Sequence, residues 1–370
     1  MRNNYHAVIT GTGSCIPGNV VRNEDFMNNQ FYDASGKKLD KENKEIIQKF
    51  MEITGIHERR YIEDERTTSD LGFLAAEAAI KNAGIDGEEL DYIIVAHNFG
   101  DVKKSTGSID IIPSIASRIK HLLGIQNPKT IAYDLIFGCP GWVQGLIQAN
   151  YYIKAGDAQK VMVIGADALS RIADPHDRDS MIYSDGSGAT ILEARASEEP
   201  IGILSHVSRS DTLNEANLMW MEHSNNPNFP GDEIFLKMNG RKQFEYALNT
   251  VPPLVKENLD QSGLDVKDIK KVLIHQANEK MDQAMLKRFF KLYNIKDIPP
   301  NIMPMTISKL GNNSSATIPV MLDLILKKQL KNQSINPGDH VVFVSVGAGM
   351  NINSIIYRFP LHSELNGRYR

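Results

Sequence analysis

The stretch DLIFGCPGWVQGL, Asp134–Leu146, decides the fold class because it joins two apolar runs through a turn of glycine, cysteine and proline. No charged residue follows Asp134 until Lys154. A strand that ends at Gly138, with Pro140 at a favourable first helical position, predicts a strand-to-helix turn. The thiol of Cys139 is then expected at the amino end of a helix that runs through the protein interior.

The composition is that of a globular protein able to bury a sizeable core. The 370 residues are 42% hydrophobic and 23% charged, which suits one large domain or two. Lysine and arginine number 41 against 45 for aspartate and glutamate, a net charge of −4, so we expect no nucleic-acid partner. Two cysteines do not make a disulfide framework, which favours a cytoplasmic location.

The run at 135–153 is the candidate for a membrane span. Its glycines, its proline and its amide side chains favour a helix buried in protein over a helix that faces lipid. The opening residues MRNNYHAVITGTGSC contain no continuous apolar region of the kind that directs secretion. We therefore expect no membrane insertion.

Short β-branched runs alternate with amphipathic helical runs, which is typical of a layered α/β fold. The segment TSDLGFLAAEAAIKNAGI predicts a helix, with Thr68, Ser69 and Asp70 as cap candidates. The lysine-rich segment at 33–50 is expected to be an exposed helical insertion without chemistry. Other predicted elements are strands at HAVITGTGS, LDYIIVAHNF, KVMVIGADAL and SGATILEA, and a helix at PSIASRIKHLLGI.

Two segments of the first half recur in the second. DYIIVAHN (Asp91–Asn98) resembles KVLIHQAN (Lys271–Asn278), and GDAQKVMVIGA (Gly156–Ala166) resembles GDHVVFVSVGA (Gly338–Ala348). Between the members of each pair the sequence predicts a strand, a glycine followed by a polar residue, and an apolar helix. Two such echoes in the same order indicate an internal duplication.

The duplication predicts two halves, 1–195 and 196–370, that join near a charged, proline-containing run. In the first half the polar residue after the glycine is Cys139, and in the second half it is Asn312. Pseudo-twofold symmetry would bring these two helix starts together. His275 ends a predicted strand of the second half, so it is expected to reach the same place.

Cys139, His275 and Asn312 form a combination that recurs in enzymes with a cysteine nucleophile. A helix amino terminus favours a thiolate by about 0.3–2 kcal/mol, which assists a nucleophile without creating one. Each residue also has a plain structural interpretation: a small buried hydrophobe for the cysteine, a strand-end histidine, and a helix cap for the asparagine. The three together favour the catalytic interpretation.

The residues do not predict a metal or dinucleotide site. The two cysteines lie far apart, and no histidine pair has ligand spacing with them, so we expect no metal. Cys15, in GTGSCIPG, is interpreted as a loop residue without a partner. That segment lacks the full dinucleotide fingerprint.

Several motifs in one order resemble the thiolase-superfamily condensing enzymes, specifically the ketoacyl-acyl-carrier-protein synthase III group. They are ITGTGSCIPGNVVRNED, TGIHERRY, GCPGW, DPHDRDSMIYSDGSGATIL, HQAN, GNNSSATIP and GAGMNINSIIYRF, which together span nearly the whole chain. The resemblance implies a thiolase-like α/β fold of two βαβαβαββ halves in α-β-α-β-α layers with pseudo-twofold symmetry. It also implies a cytoplasmic homodimer.

The resemblance implies a ping-pong decarboxylative Claisen condensation without a cofactor. Cys139 would take an acyl group from a coenzyme A or acyl-carrier-protein thioester, with the backbone N–H groups of Cys139 and Ala348 as the oxyanion hole. His275 Nε2 and Asn312 Nδ2 would donate to the carbonyl of a malonyl-type extender. The alternatives are an ester- or amide-forming acyltransferase or a non-decarboxylating condensing enzyme on the same fold and, less favoured, a non-catalytic partner subunit. A hydroxymethylglutaryl-type synthase is disfavoured, because this sequence has no clear counterpart to the upstream catalytic glutamate of that enzyme.

Substrate-contacting residues also follow from the resemblance. Lys49 and Ile53 occupy positions where coenzyme A-using relatives have a tryptophan and an arginine, which favours a primer on a carrier protein. Arg171 matches a third nucleotide-contacting position. The exposed-helix residues Lys280, Lys287, Arg288 and Lys291 are expected to dock the acidic acyl carrier protein, or else form a solvated helix face.

The segment IIPS carries the expected contribution of a partner subunit. By resemblance, Ile112 closes the acyl tunnel of the partner, and Asp110 is a candidate carboxylate base that reaches the partner's site. Pro140 and Asn351 stand where relatives more often have a small residue and a threonine. They indicate a divergent branch, for which a specialised lipid pathway is an alternative to fatty-acid initiation.

Overall fold

The computed structural model describes residues 5–361 and 363. In the first part of the chain, the strands are β1 (Tyr5–Cys15), β2 (Asn19–Arg22), β3 (Glu58–Tyr61), β4 (Tyr92–His97), β5 (Asp101–Val102), β6 (Ile109–Asp110), β7 (Ile131–Ile136), β8 (Lys160–Ala168) and β9 (Asp185–Ala196). The helices among them are α1 (Asn43–Thr54), α2 (Thr68–Ala83), α3 (Ile115–Leu122) and α4 (Gly141–Ala155).

The second part repeats this alternation. Its strands are β10 (Gly202–Ser210), β11 (Met219–Glu222), β12 (Phe235–Met238), β13 (Ile269–Ile274), β14 (His340–Gly347) and β15 (Asn351–Arg358). Its helices are α5 (Gly240–Ser262), α6 (Glu279–Lys291), α7 (Ile307–Leu310) and α8 (Thr317–Leu326).

Two sheets with matching order form the framework. One has the order β1-β9-β8-β4-β7 and the other β10-β15-β14-β13. In both, the first three strands pair antiparallel and the next pair is parallel. The internal duplication predicted from the repeated segments therefore appears as two sheets with matching strand order and direction. Strand β9 of the first sheet ends at Ala196, and strand β10 of the second sheet begins at Gly202. The domain boundary at residue 195 itself stays a prediction.

Three helix layers alternate with the two sheets, which confirms the predicted α-β-α-β-α layering. Helices α4 and α8 lie between the sheets, where Trp142 meets Phe343 edge-on at 5.7 Å between ring centroids. Helices α2 and α3 cover the outer face of the first sheet, and α5 and α6 cover that of the second. Burial on both faces explains the continuous apolar runs of β8 and β14.

The second half lacks one predicted strand. The first sheet has β7 at its edge, but the segment before Gly311 forms no strand in the part of the chain that the structure describes. Ile302 still accepts a hydrogen bond from the backbone N–H of Val272 at 2.8 Å, so the segment lies alongside β13. It contains Pro299, Pro300 and Pro304, which cannot donate to a strand ladder.

Four local predictions need correction. Cys15 is the last residue of β1, where it pairs with Ser187, and is not a loop residue. Helix α2 is capped by Thr67, whose N–H donates to Asp70 at 2.8 Å, one residue before the predicted candidates. Pro140 precedes the first residue of α4 and is not itself that residue. The lysine-rich segment is helical only over α1, and it is no exposed insertion, because Ile46, Ile47 and Phe50 are buried in a small apolar cluster.

Helix α4 coincides with the uncharged stretch, and most of its side chains are buried. Among the described residues, no helix combines the length and the apolar character needed to cross the hydrocarbon layer of a membrane.

Candidate active site

Two glycine turns bring the backbone of Cys139 against the end of β14. Gly138 has φ +67°, which favours glycine, and a Cβ built there would lie 2.8 Å from Ala348 N. A Cβ on Gly347 would lie 2.6 Å from Cys139 N. Only glycines allow this close approach of the two turns, which carry the backbone N–H groups of Cys139 and Ala348.

His275 and Asn312 are fixed by their backbones. His275 follows β13 directly, and its N–H donates to the carbonyl of Val344 at 2.9 Å. The N–H of Asn312 donates to Ile182 at 2.9 Å, and its carbonyl accepts from Ser184 at 2.8 Å. Both residues therefore sit on paired backbone rather than on flexible loops.

The side chains of these two residues leave specific atoms for a substrate. Nδ1 of His275 lies 3.2 Å from Oγ1 of Thr317, so Nε2 is the ring nitrogen left for the cavity. Oδ1 of Asn312 accepts from the N–H of Ser314 at 2.9 Å, which leaves Nδ2 as the free donor.

Cys139, His275 and Asn312 line one cavity, whose empty space together with the solvent at its mouth is about 530 Å³. The three residues are 9%, 2% and 6% exposed, so the cavity shields them from bulk water. Four methionines contribute to its apolar wall: Met219, Met238, Met281 and Met350. Unbranched thioether side chains adapt to irregular shapes, which suits a cavity for a flexible acyl chain.

Burial sets the protonation states of the pair. Burial raises the pKa of the Cys139 thiol to about 12, against a lowering by the hydroxyl of Ser314. Burial also lowers the pKa of His275 to about 4. The expectation that the helix start favours a thiolate is corrected here, because desolvation outweighs it. At neutral pH the site holds a neutral thiol and a neutral imidazole. Such an imidazole can accept the proton of the thiol when the sulfur attacks a substrate.

A larger groove of about 1590 Å³ leads outward from the cavity, and Ile182 and Met238 line both. Trp220 and Phe244 give it aromatic walls. Its cationic lining residues are Lys41, Lys49, Arg178 and Arg241. Cations beside aromatic surfaces suit a substrate that combines phosphate groups with a ring or a thin apolar arm.

The structure places Lys49 and Ile53 in this groove but not Arg171. The guanidinium of Arg171 donates to the backbone carbonyls of Glu63 at 2.7 Å and Arg66 at 3.3 Å, and it lines neither cavity. Arg178, which sequence reasoning missed, lines the groove instead. Both arginines occur in SRIADPHDRD, an irregular run without the periodicity that would distinguish them.

Helix α6 carries the predicted carrier-docking residues. Lys280, Lys287 and Lys291 are exposed along the helix. Arg288 is also exposed, but its guanidinium donates to the carbonyl of Leu248 at 3.0 Å and to Asn249 at 2.7 Å. Arg288 is thus engaged with α5, and the lysines remain the better placed cations.

The loop between β6 and α3 projects away from the cavity. Ile112 is 83% exposed, and neither it nor Asp110 lines the cavity of its own chain. Asp110 accepts a hydrogen bond from Arg118 at 2.7 Å, and that guanidinium holds the pKa of the carboxyl below its usual value. A carboxylate paired in this way is a weak base, which disfavours the base hypothesis for Asp110.

Two hydroxyl-bearing residues near the site were not singled out from the sequence. Ser314 and Thr317 contact Cys139 and His275, respectively. The run GNNSSATIP carried the available signal, since it places several hydroxyls at the start of a buried helix. Among the described residues, no group of three histidine, cysteine or acidic side chains could hold a metal ion.

Two family models match the chain. Residues 133–212 match the family described as 3-oxoacyl-[acyl-carrier-protein (ACP)] synthase III, and residues 259–359 match its C-terminal model. The first match contains Cys139, and the second contains His275 and Asn312.

Relatives and solved structures show the same likeness over nearly the full length. The beta-ketoacyl-[acyl-carrier-protein] synthase III of Xanthomonas campestris pv. campestris is 31% identical, over 97% of this chain and 100% of the relative. The structure of 3-oxoacyl-(acyl carrier protein) synthase III from Pseudomonas aeruginosa has a TM-score of 0.78 at 26% identity, covering 96% of this chain and 98% of its own. The synthase III structure from Thermus thermophilus has a TM-score of 0.77 at 31% identity, covering 95% and 99%.

Proposed function

We propose a reaction from the premise that this chain belongs to the 3-oxoacyl-[acyl-carrier-protein] synthase III family and is a condensing enzyme that transfers acyl groups. The reaction is acyl transfer to Cys139 followed by decarboxylative condensation with a malonyl-type thioester. The observation that carries it is that Cys139, His275 and Asn312 line one buried cavity. No step calls on a cofactor.

Acylation uses the thiol and the imidazole as a neutral pair. Sγ of Cys139 attacks the carbonyl carbon of an acyl thioester while its proton passes to Nε2 of His275. The N–H groups of Cys139 and Ala348 receive the oxyanion of the tetrahedral intermediate. The intermediate collapses to acyl-Cys139, and the leaving thiolate takes the proton from the imidazole.

Condensation uses the donors of the second half. Nε2 of His275 and Nδ2 of Asn312 donate to the carbonyl oxygen of the extender thioester, where the negative charge of the enolate develops as carbon dioxide leaves. The enolate carbon attacks acyl-Cys139, and the sulfur departs as a thiolate. Preorganised donors at a developing oxyanion are usually the largest single contribution to such a rate.

Donation from Nε2 requires one hydroxyl to rotate. In the structure, Oγ1 of Thr317 donates to Oδ1 of Asn313 at 2.8 Å while it lies 3.2 Å from Nδ1 of His275. Acylation uses the tautomer with its hydrogen on Nδ1, so before condensation the ring must lose that hydrogen to solvent and keep one on Nε2. Nδ1 then accepts, and Thr317 turns its hydrogen toward the imidazole. Nitrogen-15 chemical shifts of His275 with an unreactive extender analogue bound would report that tautomer.

The outer groove accommodates the thioester arm and the group that carries it. Its cations suit the phosphate of a pantetheine arm, and α6 offers exposed lysines to an acidic carrier protein. Trp220 supplies an aromatic surface that the Lys49 position lacks, so the groove has the chemistry for a coenzyme A primer as well. Fatty-acid initiation and a specialised lipid pathway remain alternative settings.

We further propose a cytoplasmic homodimer in which the projecting loop enters the partner's site. Ile109, in β6, and Ile111 and Ile112, in this loop, are all exposed apolar side chains. Three isoleucines in one exposed loop are unusual unless another surface covers them. Arg118 anchors the start of the loop through its ion pair with Asp110.

Mass spectrometry of the intact protein tests the reaction. After incubation with a panel of acyl-coenzyme A and acyl-carrier thioesters, we expect an acyl adduct that Cys139→Ala abolishes and Cys15→Ala retains. Adding a labelled malonyl carrier should then release labelled carbon dioxide and free the cysteine. Acylation followed by transfer to an alcohol or amine without carbon dioxide release would instead show an ester- or amide-forming acyltransferase.

A further inference from the structure

Ser314, in the turn that opens into α8, donates a hydrogen bond to the proposed nucleophile. Its Oγ lies 3.3 Å from Sγ of Cys139, and Ser314 is only 2% exposed. Ser314 has φ +52°, in the left-handed region where non-glycine residues are uncommon. The carboxamide of Asn312 holds this conformation by accepting from the N–H of Ser314. A residue kept in a strained conformation against a reactive atom points to function.

Asn98, which follows β4, sets the direction of that hydroxyl. Its Nδ2 donates to Oγ of Ser314 at 2.8 Å and to Oδ2 of Asp167 at 2.8 Å, which uses both amide hydrogens. The oxygen of Ser314 therefore receives an N–H from one side. Its own hydrogen is left for Sγ of Cys139, so the hydroxyl acts toward sulfur as a donor.

Asp167 fixes Asn98 from the interior. This carboxylate is fully buried and also accepts from the backbone N–H of Asn98 at 2.9 Å. Ser315 donates to it through its N–H at 3.1 Å and its hydroxyl at 2.6 Å. Exchanging the oxygen and nitrogen of the Asn98 amide would set an oxygen against this carboxylate and against Ser314, so one orientation is enforced.

We propose that Ser314 is a further catalytic residue, whose hydroxyl, oriented by the positioning residue Asn98, stabilises the thiolate of Cys139 each time the sulfur attacks or departs. The inference rests on the proposed function, in which that sulfur carries the acyl group. It adds to the N–H groups at the helix start a side-chain donor aimed at sulfur itself.

The other titratable groups that face Cys139 do not supply such a donor. The carboxyl of Asp167 raises the pKa of the Cys139 thiol and so opposes a thiolate. Tyr183 and His275 line the same cavity, and burial keeps the pKa of the tyrosine well above its usual value and that of the imidazole below its usual value. Ser314 therefore provides the side-chain hydrogen bond that favours the ionised sulfur.

Alkylation of Cys139 by iodoacetamide tests this, because the thiolate is the form that reacts. The rate is followed at pH 8 by the mass of the Cys139 peptide, which separates it from Cys15. We expect Ser314→Ala to react about tenfold more slowly than the unaltered protein. The matched control is Ser345→Ala, at a buried serine of β14 whose hydroxyl has no hydrogen-bond partner among the described residues. It should react at the unaltered rate.

Two more variants separate this role from a general loss of structure. Ser314→Gly removes the hydroxyl but suits φ +52°, so it should fold at least as well as Ser314→Ala and show the same slowing. Asn98→Ala should slow alkylation less. The double variant Asn98→Ala with Ser314→Ala should be no slower than Ser314→Ala alone, because Asn98 acts through Ser314.

Unchanged alkylation in both Ser314 variants would overturn the proposal, as would slowing in Ser345→Ala equal to theirs. Additive losses in the double variant would overturn the role of Asn98. Iodoacetamide needs no acyl thioester, so these outcomes are independent of the proposed function. A protein that alkylates as expected but takes no acyl group contradicts the function and leaves the contact between Ser314 and Cys139 supported.

Discussion

The two halves use one repeated asparagine in different ways. Asn98 follows β4, and its amide donates inward to Asp167 and Ser314, behind Cys139. Asn278 holds the same place after β13, but its Oδ1 caps α6 by accepting from the N–H of Met281 at 3.1 Å, and it lines the outer groove. One copy lies behind the proposed nucleophile, and the other lines the groove proposed for the substrate.

This difference extends to the proposed chemistry. The first half contributes the sulfur at the start of α4, and the second contributes the imidazole after β13 and the carboxamide before α8. Pseudo-symmetry brings equivalent helix starts together, and divergence then gives them separate tasks. In the proposed reaction His275 takes part in both steps, whereas Asn312 acts on the extender, so Asn312 variants should impair condensation more than acylation.

The largest effect is expected on the nucleophile side. Cys139→Ala removes the acyl acceptor, so condensation should fall by at least about 10⁴-fold in steady-state assays. Cys15→Ala, at the other cysteine of the chain, should remain close to the unaltered rate. Substantial condensation by Cys139→Ala would place the acyl group elsewhere.

Asn312→Ala should divide the two steps. Loss of one oxyanion donor costs about 10²–10³-fold, and this donor acts on the extender thioester. Condensation should slow by that factor in single-turnover assays, while acylation of Cys139 should slow less, since Asn312 affects the sulfur only through its hydrogen bond to Ser314. Asn312→Asp, which replaces the donor by an acceptor of the same shape, should be equally impaired. Matching losses in acylation and condensation would contradict the separate roles.

The smallest effect concerns acid stability. The folded pKa of His275 is lowered to about 4 from 6.5, so the unfolded chain binds its proton more readily between these values. The free energy of unfolding should therefore decrease as the pH falls from 6.5 toward 4, by on the order of 3 kcal/mol at pH 4 from this group.

Denaturant titrations of the protein and of His275→Asn would isolate that contribution. Buried carboxyls with raised pKa values, such as Asp167 and Asp185, act in the opposite direction but are common to both proteins. The unaltered protein should lose stability relative to the variant on acidification. Parallel pH profiles would show that burial of His275 does not govern its protonation.

The layered fold was predictable because its signals are periodic and repeated. The absence of one strand from the second half was not predicted. The prediction followed the repeated sequence pattern, although three prolines of this segment cannot donate the backbone hydrogen bonds of a strand. Helix α1 was misjudged because lysines dominate its composition, although Ile46, Ile47 and Phe50 occur at helical spacing.

The site was predictable in its residues but not in its electrostatics. Equivalent turns of a duplicated chain must meet, which is why Cys139, His275 and Asn312 could be grouped. The protonation of the thiol depends on burial by both halves, which no local motif encodes. The contact from Ser314 depends on a left-handed backbone, and the position of Arg178 in the groove depends on an irregular turn.

Release of labelled carbon dioxide from a malonyl carrier tests most directly whether Cys139 and Asn312 act in separable steps. If the second half stabilises the enolate without the sulfur, Cys139→Ala should still release carbon dioxide but form no condensed product, whereas Asn312→Ala should release little. Equal loss of carbon dioxide release in both variants would contradict the account, because it would show that the two halves do not perform separable steps.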